Sequence, residues 1–347
     1  MAGKETRKEE QVLAQRSRRL APFEELDRWF DEVSRRWLSP FERLFPSFPE
    51  LPSITGRISQ EKRMKDWAKF SLAGLGLISA GVGLALRSGT LRWNAETARM
   101  VERLKQAATA SEAKTVSFMD FDSLPAPVAR YFRFALKDGQ PIVRTARIRH
   151  AGEFNLNDKW IPFESEQHFS ARPPAVVWDA KMRMNPLMNV GVRDAYLGGQ
   201  GSMLAKVLSL VTMMNVSGDE KLASGALQRY LAESAWPPTA LLPSNNLQWS
   251  AIDDRRALAT LANAGTTVSL EFSFNEGGEV IGIFAPARFR KVDGKYEPFP
   301  WAGRFWNYEE RGRMMIPIEG EVEWHLPEGN APYWRGRIVD VDYDFAR

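Results

Sequence analysis

A run without a charged side chain, 17 residues from Phe70 to Leu86, constrains this 347-residue chain more than any other feature. As a helix rising about 1.5 Å per residue, such a run covers roughly 25 Å, close to the bilayer's hydrocarbon core of about 30 Å. Lys69 and Arg87 bound the run, and Trp67 and Trp93 flank it, as charges and indole rings do at membrane interfaces. The sequence therefore predicts one short transmembrane helix here.

The predicted span divides the chain into parts of different composition. We expect the span itself at 68–87 and four segments: a charged arm with a short amphipathic helix and a proline-rich linker at 1–63, the membrane helix with its flanks at 64–92, a helical stalk at 93–119, and a mainly β domain at 120–347. Basic residues are balanced on the two sides of the span, so they do not choose an orientation. A single early span before a long domain is typical of a signal-anchor, which favours the C-terminal domain outside. Met64 also begins a stretch with the pattern of a signal-anchor, and residues 1–63 are then an appended module.

The arm contains a predicted amphipathic helix within residues 22–45. Apolar residues recur there at helical spacing, and Pro40 ends the pattern. Its mixed charges favour a protein partner over an anionic membrane, while packing on its own domain is the open alternative. The segment PFEELDRWFDEVSRRWLSPFE resembles the N-terminal arm of bacterial small heat-shock proteins. No α-crystallin sandwich is predicted downstream, so this resemblance implies no chaperone activity.

The C-terminal domain has the hydrophobic pattern of β-strands. From about residue 143 the period changes to two, in runs such as 268–274 and 333–345 that Gly, Pro or Asn separate. The segment at 275–278, NEGG, predicts a hairpin turn. Helices are predicted at 201–215 and at 224–236, where two prolines end the second. The predicted fold class is mainly β (α+β), a large curved antiparallel sheet or half-barrel with a few covering helices, preceded by the transmembrane helix.

Composition and motifs exclude several chemistries. The chain has no cysteine, which removes disulfides, thiolate metal sites and cysteine nucleophiles. It has no GxSxG, HExxH or CxxC motif, and the glycines at 198–201 lack the Lys-Ser/Thr continuation of a phosphate-binding loop. A net charge of +4, from 47 basic and 43 acidic residues, does not indicate a nucleic-acid-binding surface. We expect no catalytic residue, no cofactor, no metal and no nucleic acid.

One polar constellation is the exception. Glu164, Glu166 and His168 alternate along a predicted strand and so share one face, where they could ligate a metal or share a proton. Neighbouring positions on one face lie about 6.5–7 Å apart, too far for these three alone to hold one ion. A polar, solvated sheet face is the alternative interpretation.

The many tryptophans and methionines of the domain suit an adaptable apolar cavity, and equally an ordinary core. Arg229 and Glu233 are spaced to pair on a helix. The predicted ligand-binding residues are Trp178, Met182, Arg229, Glu233, Trp236 and Trp249.

The blocks LPAPVARYFRFAL, LQRYLAESAWPPTALLP and YWRGRIVDVDY resemble a bacterial family of unknown function over roughly residues 120–347. The resemblance implies one N-terminal membrane helix and no known activity. We expect the membrane to be the bacterial inner membrane. The strand layout and passages such as ARPPAVVWDAKM also resemble the half-barrel of LolA and LolB, an incomplete barrel that holds acyl chains.

Three functions remain open on the sequence. The first is a membrane-anchored protein whose β domain binds an apolar ligand such as a lipid. The second is an envelope or stress-associated scaffold that recruits a protein through residues 22–45. The third is an uncharacterised enzyme, which requires Glu164, Glu166 and His168 to lie inside a pocket.

Overall fold

The computed structural model describes residues 59–108, 115–156, 158–186, 188–292 and 294–346, and for residues 59–79 it describes the backbone only. The predicted amphipathic helix at 22–45, and the arm as far as residue 58, lie outside the described residues. The first described element is therefore the helix that contains the predicted membrane span.

The elements are mostly strands. The helices are α1 (Ser59–Ala108), a 3-10 turn (Phe118–Ser123), α2 (Ala126–Ala135), α3 (Glu220–Glu233) and a second 3-10 turn (Pro238–Leu241). The strands are β1 (Val143–Leu156), β2 (Lys159–Ser170), β3 (Ala175–Asn185), β4 (Met188–Leu197), β5 (Gln200–Val207), β6 (Val211–Ser217), β7 (Leu247–Ala251), β8 (Arg256–Asn263), β9 (Thr266–Phe274), β10 (Val280–Val292), β11 (Lys295–Arg311), β12 (Met314–Leu326) and β13 (Gly329–Phe345).

All the described strands form one antiparallel sheet of 13 strands, in the order β6-β5-β4-β3-β2-β1-β13-β12-β11-β10-β9-β8-β7. The chain zigzags outward from β1 to β6, crosses through α3 to the opposite edge at β7, and zigzags back until β13 pairs with β1. Because α3 packs against β4 and β5 and also against β9 and β10, the sheet must curl around it. The fold is a curved half-barrel of mainly β class with few helices, as the sequence predicted.

Alternation along the strands places the core inside this curve. In β9 the buried residues are Val268, Leu270, Phe272 and Phe274, and the residues between them are less buried. They belong to the main hydrophobic cluster, which also holds the buried face of α2 and much of α3. Side chains of successive strand residues point to opposite faces, so one face of the sheet meets α3 and the other is outward.

Side-chain hydrogen bonds to the backbone define both ends of helix α3. The Asp219 carboxylate accepts hydrogen bonds from the backbone N–H groups of Lys221 and Leu222, at 2.8 and 3.1 Å, and caps the N-terminus. The Ser234 hydroxyl donates to the carbonyl oxygen of Tyr230 at the other end, before the prolines at 237 and 238. Alanines and a glycine form much of its buried face, which lets the helix approach the strands closely.

The predicted helix at 201–215 is wrong. These residues form most of β5 and β6, joined by a tight turn in which Leu208 and Ser209 have positive φ angles of 50° and 59°. The apolar run has no helical face to bury, whereas pairing with β4 satisfies its backbone and places Ala205 and Val207 in a buried cluster.

The glycines at 198–201 belong to a hairpin and not to a loop before a helix. Gly198 and Gly199 have φ angles of 61° and 81°, which a tight turn between paired strands requires. An added Cβ on Gly199 would lie 2.4 Å from the side chain of Ala264 in the β8–β9 turn. Nearby, the Asn263 side-chain amide donates to the Tyr196 hydroxyl at 2.8 Å. The two arms of the half-barrel therefore touch at this rim.

The C-terminal part of α1 packs on the outer face of the sheet. The Trp93 indole N–H donates to both carboxylate oxygens of Asp179, at 3.0 and 2.9 Å, and the Thr97 hydroxyl donates to the same carboxylate. Arg193 stacks on the Trp93 ring, 4.2 Å from its centroid, and donates to the Trp93 carbonyl oxygen at 2.8 Å. Gly191 leaves room for the indole, because an added Cβ would lie only 3.2 Å from it.

Further along α1, Val101 and Leu104 join a small buried cluster with residues of β3 and β4. The segment predicted as a stalk, 93–119, is thus helical as far as residue 108 and lies against the sheet; residues 109–114 are not described. The backbone of α1 runs without a break through the predicted span at 68–87. Within the described residues no helix is long and apolar enough to cross a membrane, and only residues 80–87 of the predicted span have described side chains.

We expect Trp93→Ala to loosen α1 from the sheet. Trp93 is 5% exposed, and removing a buried tryptophan side chain costs about 3–5 kcal/mol. Trypsin should cleave the full chain at Arg99 and Arg103 at least about tenfold faster, because each 1.4 kcal/mol of lost docking energy raises the open population about tenfold. Trp306→Ala, the same change at a residue that is 38% exposed, is the control. Equal cleavage rates in both variants would contradict the anchoring role.

Candidate ligand-binding cavity

A cavity of about 210 Å³ lies between α3 and the inner face of the sheet. Strand residues of both arms line it, from β1 to β6 on one side and from β10 to β13 on the other, together with one face of α3. It exists because α3, which packs against β4 and β5 and against β9 and β10, does not fill the whole curve of the sheet.

The walls of the cavity are mainly aromatic rings and thioethers. Its tryptophans and methionines are Trp178, Trp236, Trp301, Trp324, Trp334, Met182, Met203 and Met214. Phe154, Val192 and Phe305 complete much of the apolar surface. Large rings provide rigid apolar area, and unbranched thioethers adapt to irregular shapes, so the walls suit a flexible hydrocarbon.

A buried charged cluster lies on the α3 side of the cavity. The Arg229 guanidinium donates to the Asp194 carboxylate on β4, and its Nε lies 3.1 Å from Glu233 Oε1, one turn along α3. The side-chain amide of Gln167 on β2 donates to Glu233 at 3.1 Å. The side chains of Arg229, Asp194 and Glu233 are 14–16% exposed. Helix and sheet are thus joined by a salt-bridge network with little water around it.

Burial changes the protonation of this cluster. Burial acts to lower the pKa of Arg229, but the charges of Asp194 and Glu233 outweigh it and raise that pKa. Burial raises the pKa of Glu233, against the opposing charge of Arg229. His150 on β1 is 2% exposed, and burial together with the Arg229 charge lowers its pKa to about 3. At neutral pH the histidine is therefore uncharged and the arginine is charged.

A second arginine joins the other arm of the sheet to α3. Arg288 of β10 donates from Nε and Nη2 to the Gly225 carbonyl oxygen, at 3.3 and 3.1 Å. Its guanidinium carbon lies 4.5 Å from the centroid of the Trp301 ring and 5.3 Å from that of Trp324. The stacked arginine holds the helix to the sheet and also forms part of the cavity wall.

Five of the six residues predicted to bind a ligand line this one cavity: Trp178, Met182, Arg229, Glu233 and Trp236. Trp249 does not line it. Its indole N–H donates to the Leu241 carbonyl oxygen at 2.9 Å, and its ring packs on Phe272 with the centroids 5.1 Å apart. Trp249 lies on β7 and packs, half-buried, against the main hydrophobic cluster.

Glu164, Glu166 and His168 lie on the outer face of β2, away from the cavity. Glu166 accepts hydrogen bonds from Arg147 and from His168, both at 2.9 Å, and Glu164 pairs with Arg183 at 2.7 Å. Among the described residues no cluster of three or more histidine, aspartate or glutamate side chains could hold a metal ion. The condition set for the enzyme hypothesis, a pocket around these three residues, is not met.

Sequence reasoning missed other residues of the cavity, namely His150, Gln167, Asp194 and Arg288. Gln167 sits between Glu166 and His168 in sequence and points to the opposite face, so the strand alternation that singled out its neighbours also predicted an inward polar residue. Asp194 and Arg288 have no such signal, because their partners are far away in sequence.

Comparisons with known proteins concern mainly this β domain. The profile of a family of unknown function, DUF6920, matches residues 122–343. No curated protein matches the chain. Among solved structures, a DUF1329 family protein from Desulfovibrio piger has 9% identity and a TM-score of 0.35, covering 67% of this chain and 94% of that one. A LolA superfamily protein from Nitrosomonas europaea has 9% identity and a TM-score of 0.34, covering 64% and 94%.

A putative outer membrane lipoprotein-sorting protein domain from Vibrio parahaemolyticus is similar at 7% identity and a TM-score of 0.35, over 58% of this chain and 85% of that one. Similarity at these scores is too distant to transfer a ligand. The family match covers the sequence blocks of the β domain and confirms that they mark a family of unknown function; it does not extend to the arm, whose resemblance to small heat-shock proteins has no support here.

We expect the free energy of unfolding to fall as the pH falls from 6.5 towards 3, in part because of His150. Unfolded histidine binds a proton near pH 6.5, whereas folded His150 binds one only near pH 3, so acid favours the unfolded chain between these values. This contribution is about 1.4 kcal/mol per pH unit. The raised pKa of Glu233 acts in the opposite direction, so the slope is compared between variants.

Denaturant titrations at several pH values measure this slope. His150→Phe should reduce it by about 1.4 kcal/mol per pH unit. Ser165→Ala removes the hydroxyl 3.5 Å from His150 Nδ1 and keeps the titrating ring, so its slope should match that of the unmodified chain. A His150→Phe slope equal to the unmodified slope would show that this histidine is not buried as described.

Proposed function

The chain belongs to the DUF6920 family of unknown function, and we propose that it binds an apolar ligand, of the lipid class, in the cavity between α3 and the curved sheet. The observation that carries this proposal is the composition of the walls: five tryptophans and three methionines surround an open space that a close-packed core would fill. Interiors pack as densely as organic crystals, so a space of about 210 Å³ beside the core is a feature that packing alone does not require.

The cavity has the architecture of a binding site as well as its composition. Ligand pockets combine apolar walls with a few polar groups that converge on one place. Here Arg229, Glu233 and Gln167 converge at α3, with the Trp178 ring 6.0 Å from the Arg229 guanidinium carbon, and apolar side chains form most of the other walls. The methionines lie on the arm formed by β3, β5 and β6, where they can rearrange around a chain.

We further propose that residues 68–87 cross the bacterial inner membrane and hold the β domain on its outer side. The support is the uncharged run together with the anchoring of α1, which continues from that run to Trp93. Trp93 comes only seven residues after Leu86, or about 10 Å along the helix. A sheet attached at Trp93 would therefore sit close to the bilayer surface.

The β5–β6 turn agrees with that position. Gly89 of α1 packs against the Leu210 side chain at this turn, three residues beyond the end of the uncharged run. Leu210 and Val211 are 42% and 53% exposed, which is unusual for neighbouring large aliphatic residues on a tight turn. In the proposed arrangement they would lie at the interface, next to β6 and the methionine side of the cavity.

The scaffold hypothesis remains a prediction from the sequence, because the helix proposed for it lies at 22–45, outside the described residues. A pull-down with and without residues 1–58 separates the two ideas. A scaffold loses its partner with the arm, whereas ligand binding in the cavity does not need it.

We expect Val192→Phe to weaken binding of an apolar fluorophore, N-phenyl-1-naphthylamine, by about tenfold or more. Val192 lines the cavity and is 5% exposed, so a larger ring there occupies space that the ligand needs. Displacing a part of the ligand as large as one apolar side chain costs about 1.5–3 kcal/mol of binding free energy. This corresponds to at least about a tenfold loss of affinity.

Fluorescence titration of the full chain measures this affinity. Val339→Phe makes the same change at a position on β13 that is 51% exposed, and should bind the fluorophore as the unmodified chain does. The proposal fails if the unmodified chain does not bind, or if Val192→Phe binds as well as Val339→Phe.

We expect Ile78→Arg to move the protein from the membrane fraction to the soluble fraction. An arginine at the centre of a membrane helix costs about 2.5–3.5 kcal/mol of insertion free energy, and the run is only just long enough to span. Leu91→Arg, beyond the run on an exposed position of α1, is the matched control and should stay in the membrane fraction. Release of both variants, or of neither, would count against the span.

A further inference from the structure

Four side chains that line the cavity each have a buried polar atom without a hydrogen-bond partner among the described residues: His150 Nε2, Gln167 Oε1, Arg229 Nη2 and Trp236 Nε1. Leaving one such atom unpaired costs about 1–3 kcal/mol, and native proteins have few of them. Four that border one cavity indicate a place built to receive a polar group.

These four side chains form one contiguous patch. The rings of His150 and Trp236 lie with their centroids 4.7 Å apart. Gln167 donates to Glu233, which in turn pairs with Arg229 one helical turn away. His150 and Gln167 lie on the neighbouring strands β1 and β2, and both are buried on the inner face, at 2% and 0% exposed. The remaining walls are mainly apolar in area, but four basic side chains outside the patch also line the cavity: Lys221, Arg288, Arg290 and Lys291. Arg288 already donates to the Gly225 carbonyl oxygen and Lys221 to that of Tyr296.

The charges of the patch argue against an anionic head. Arg229 already faces two carboxylates, Asp194 and Glu233, so a ligand carboxylate would be a third acidic group beside one guanidinium. At this depth, unpaired like charges are costly. His150 is uncharged at neutral pH because its pKa is lowered to about 3, so it adds no positive charge.

The unpaired atoms define what the head must offer instead. Arg229 Nη2 and Trp236 Nε1 can only donate, so they need an acceptor such as a carbonyl or hydroxyl oxygen. Gln167 Oε1 can only accept, so it needs a donor such as a hydroxyl group. His150 Nε2 serves either role, depending on its tautomer.

We propose that the cavity takes a single-chain amphiphile with an uncharged head that has an ester carbonyl and a hydroxyl group, the chemistry of a monoacylglycerol. The head binds at His150, Gln167, Arg229 and Trp236, and the chain lies along the tryptophans and methionines. A cavity of about 210 Å³ is below the usual range of about 300–1,000 Å³ for small-molecule pockets, which favours one chain over a two-chain lipid. This assignment rests on the proposed function of the same cavity.

The test measures displacement of N-phenyl-1-naphthylamine from the full chain by three octanoyl compounds at pH 7.5. 1-Octanoylglycerol offers acceptor and donor, methyl octanoate offers an acceptor only, and octanoate is anionic. We expect affinity to fall in that order, with octanoate at least about tenfold weaker than the glycerol ester. Octanoate binding as tightly as 1-octanoylglycerol would overturn the assignment without any variant.

Trp236→Phe keeps an aromatic ring and removes the unpaired N–H donor. We expect it to lower the affinity for 1-octanoylglycerol by about three- to tenfold more than the affinity for the fluorophore, because the loss of one hydrogen bond has an effect of this size. Trp249→Phe, the same change outside the cavity, should leave both affinities as they are. If Trp236→Phe lowered the affinity for both ligands equally, Trp236 would contribute only packing. That result would contradict a binding site for the head at this residue. Failure of the unmodified chain to bind even the fluorophore would instead refute the proposed function.

Discussion

The position of α3 depends on Arg229, and the rest of the interior depends on α3. The guanidinium joins the helix to β4 through Asp194 and braces Glu233, which in turn accepts a hydrogen bond from Gln167 on β2. Removing one member of such a buried pair leaves an unpaired charge at a cost of about 3–5 kcal/mol. One position of the helix against the sheet is therefore strongly preferred. Arg288 holds the same helix from the other arm of the sheet, at the Gly225 carbonyl oxygen. With both arms tied to one helix, the curve keeps an interior space beside α3.

The interior has two parts that differ in composition. The main hydrophobic cluster, around α2 and the buried face of α3, is a packed core. A second cluster between β1 and β5 is rich in methionine at its margin and adjoins the cavity. The same salt bridges that seat the helix also bring unpaired donors and an acceptor to the cavity wall. A packed core alone would need neither, which is why the interior suits a ligand with an apolar chain and a polar, uncharged head.

The outer face of the sheet binds α1 and does not line the cavity. Trp93 is held by the Asp179 carboxylate and covered by Arg193, so α1 is attached to β3 and β4 over residues that point away from the cavity. Neighbouring residues of the same strands, Trp178 and Asp194, face inward. Two strands therefore link the helix that continues from the uncharged run to the wall of the cavity. In the arrangement we propose, this link places the cavity near a bilayer that could supply its ligand.

The sequence by itself determined the features that depend on local pattern. Alternation predicted a large antiparallel sheet, NEGG at 275–278 marked a hairpin that the structure confirms, and spacing paired Arg229 with Glu233. It misassigned 201–215, because a short apolar run has no period that separates a helix from a buried strand. Only the tertiary structure decided that Asp194 pairs with Arg229, that the His150 ring packs against Trp236, and that Trp249 packs against the core outside the cavity. These contacts link residues far apart in the chain, and which of them meet depends on how the sheet curls around one helix, a property that no local pattern contains.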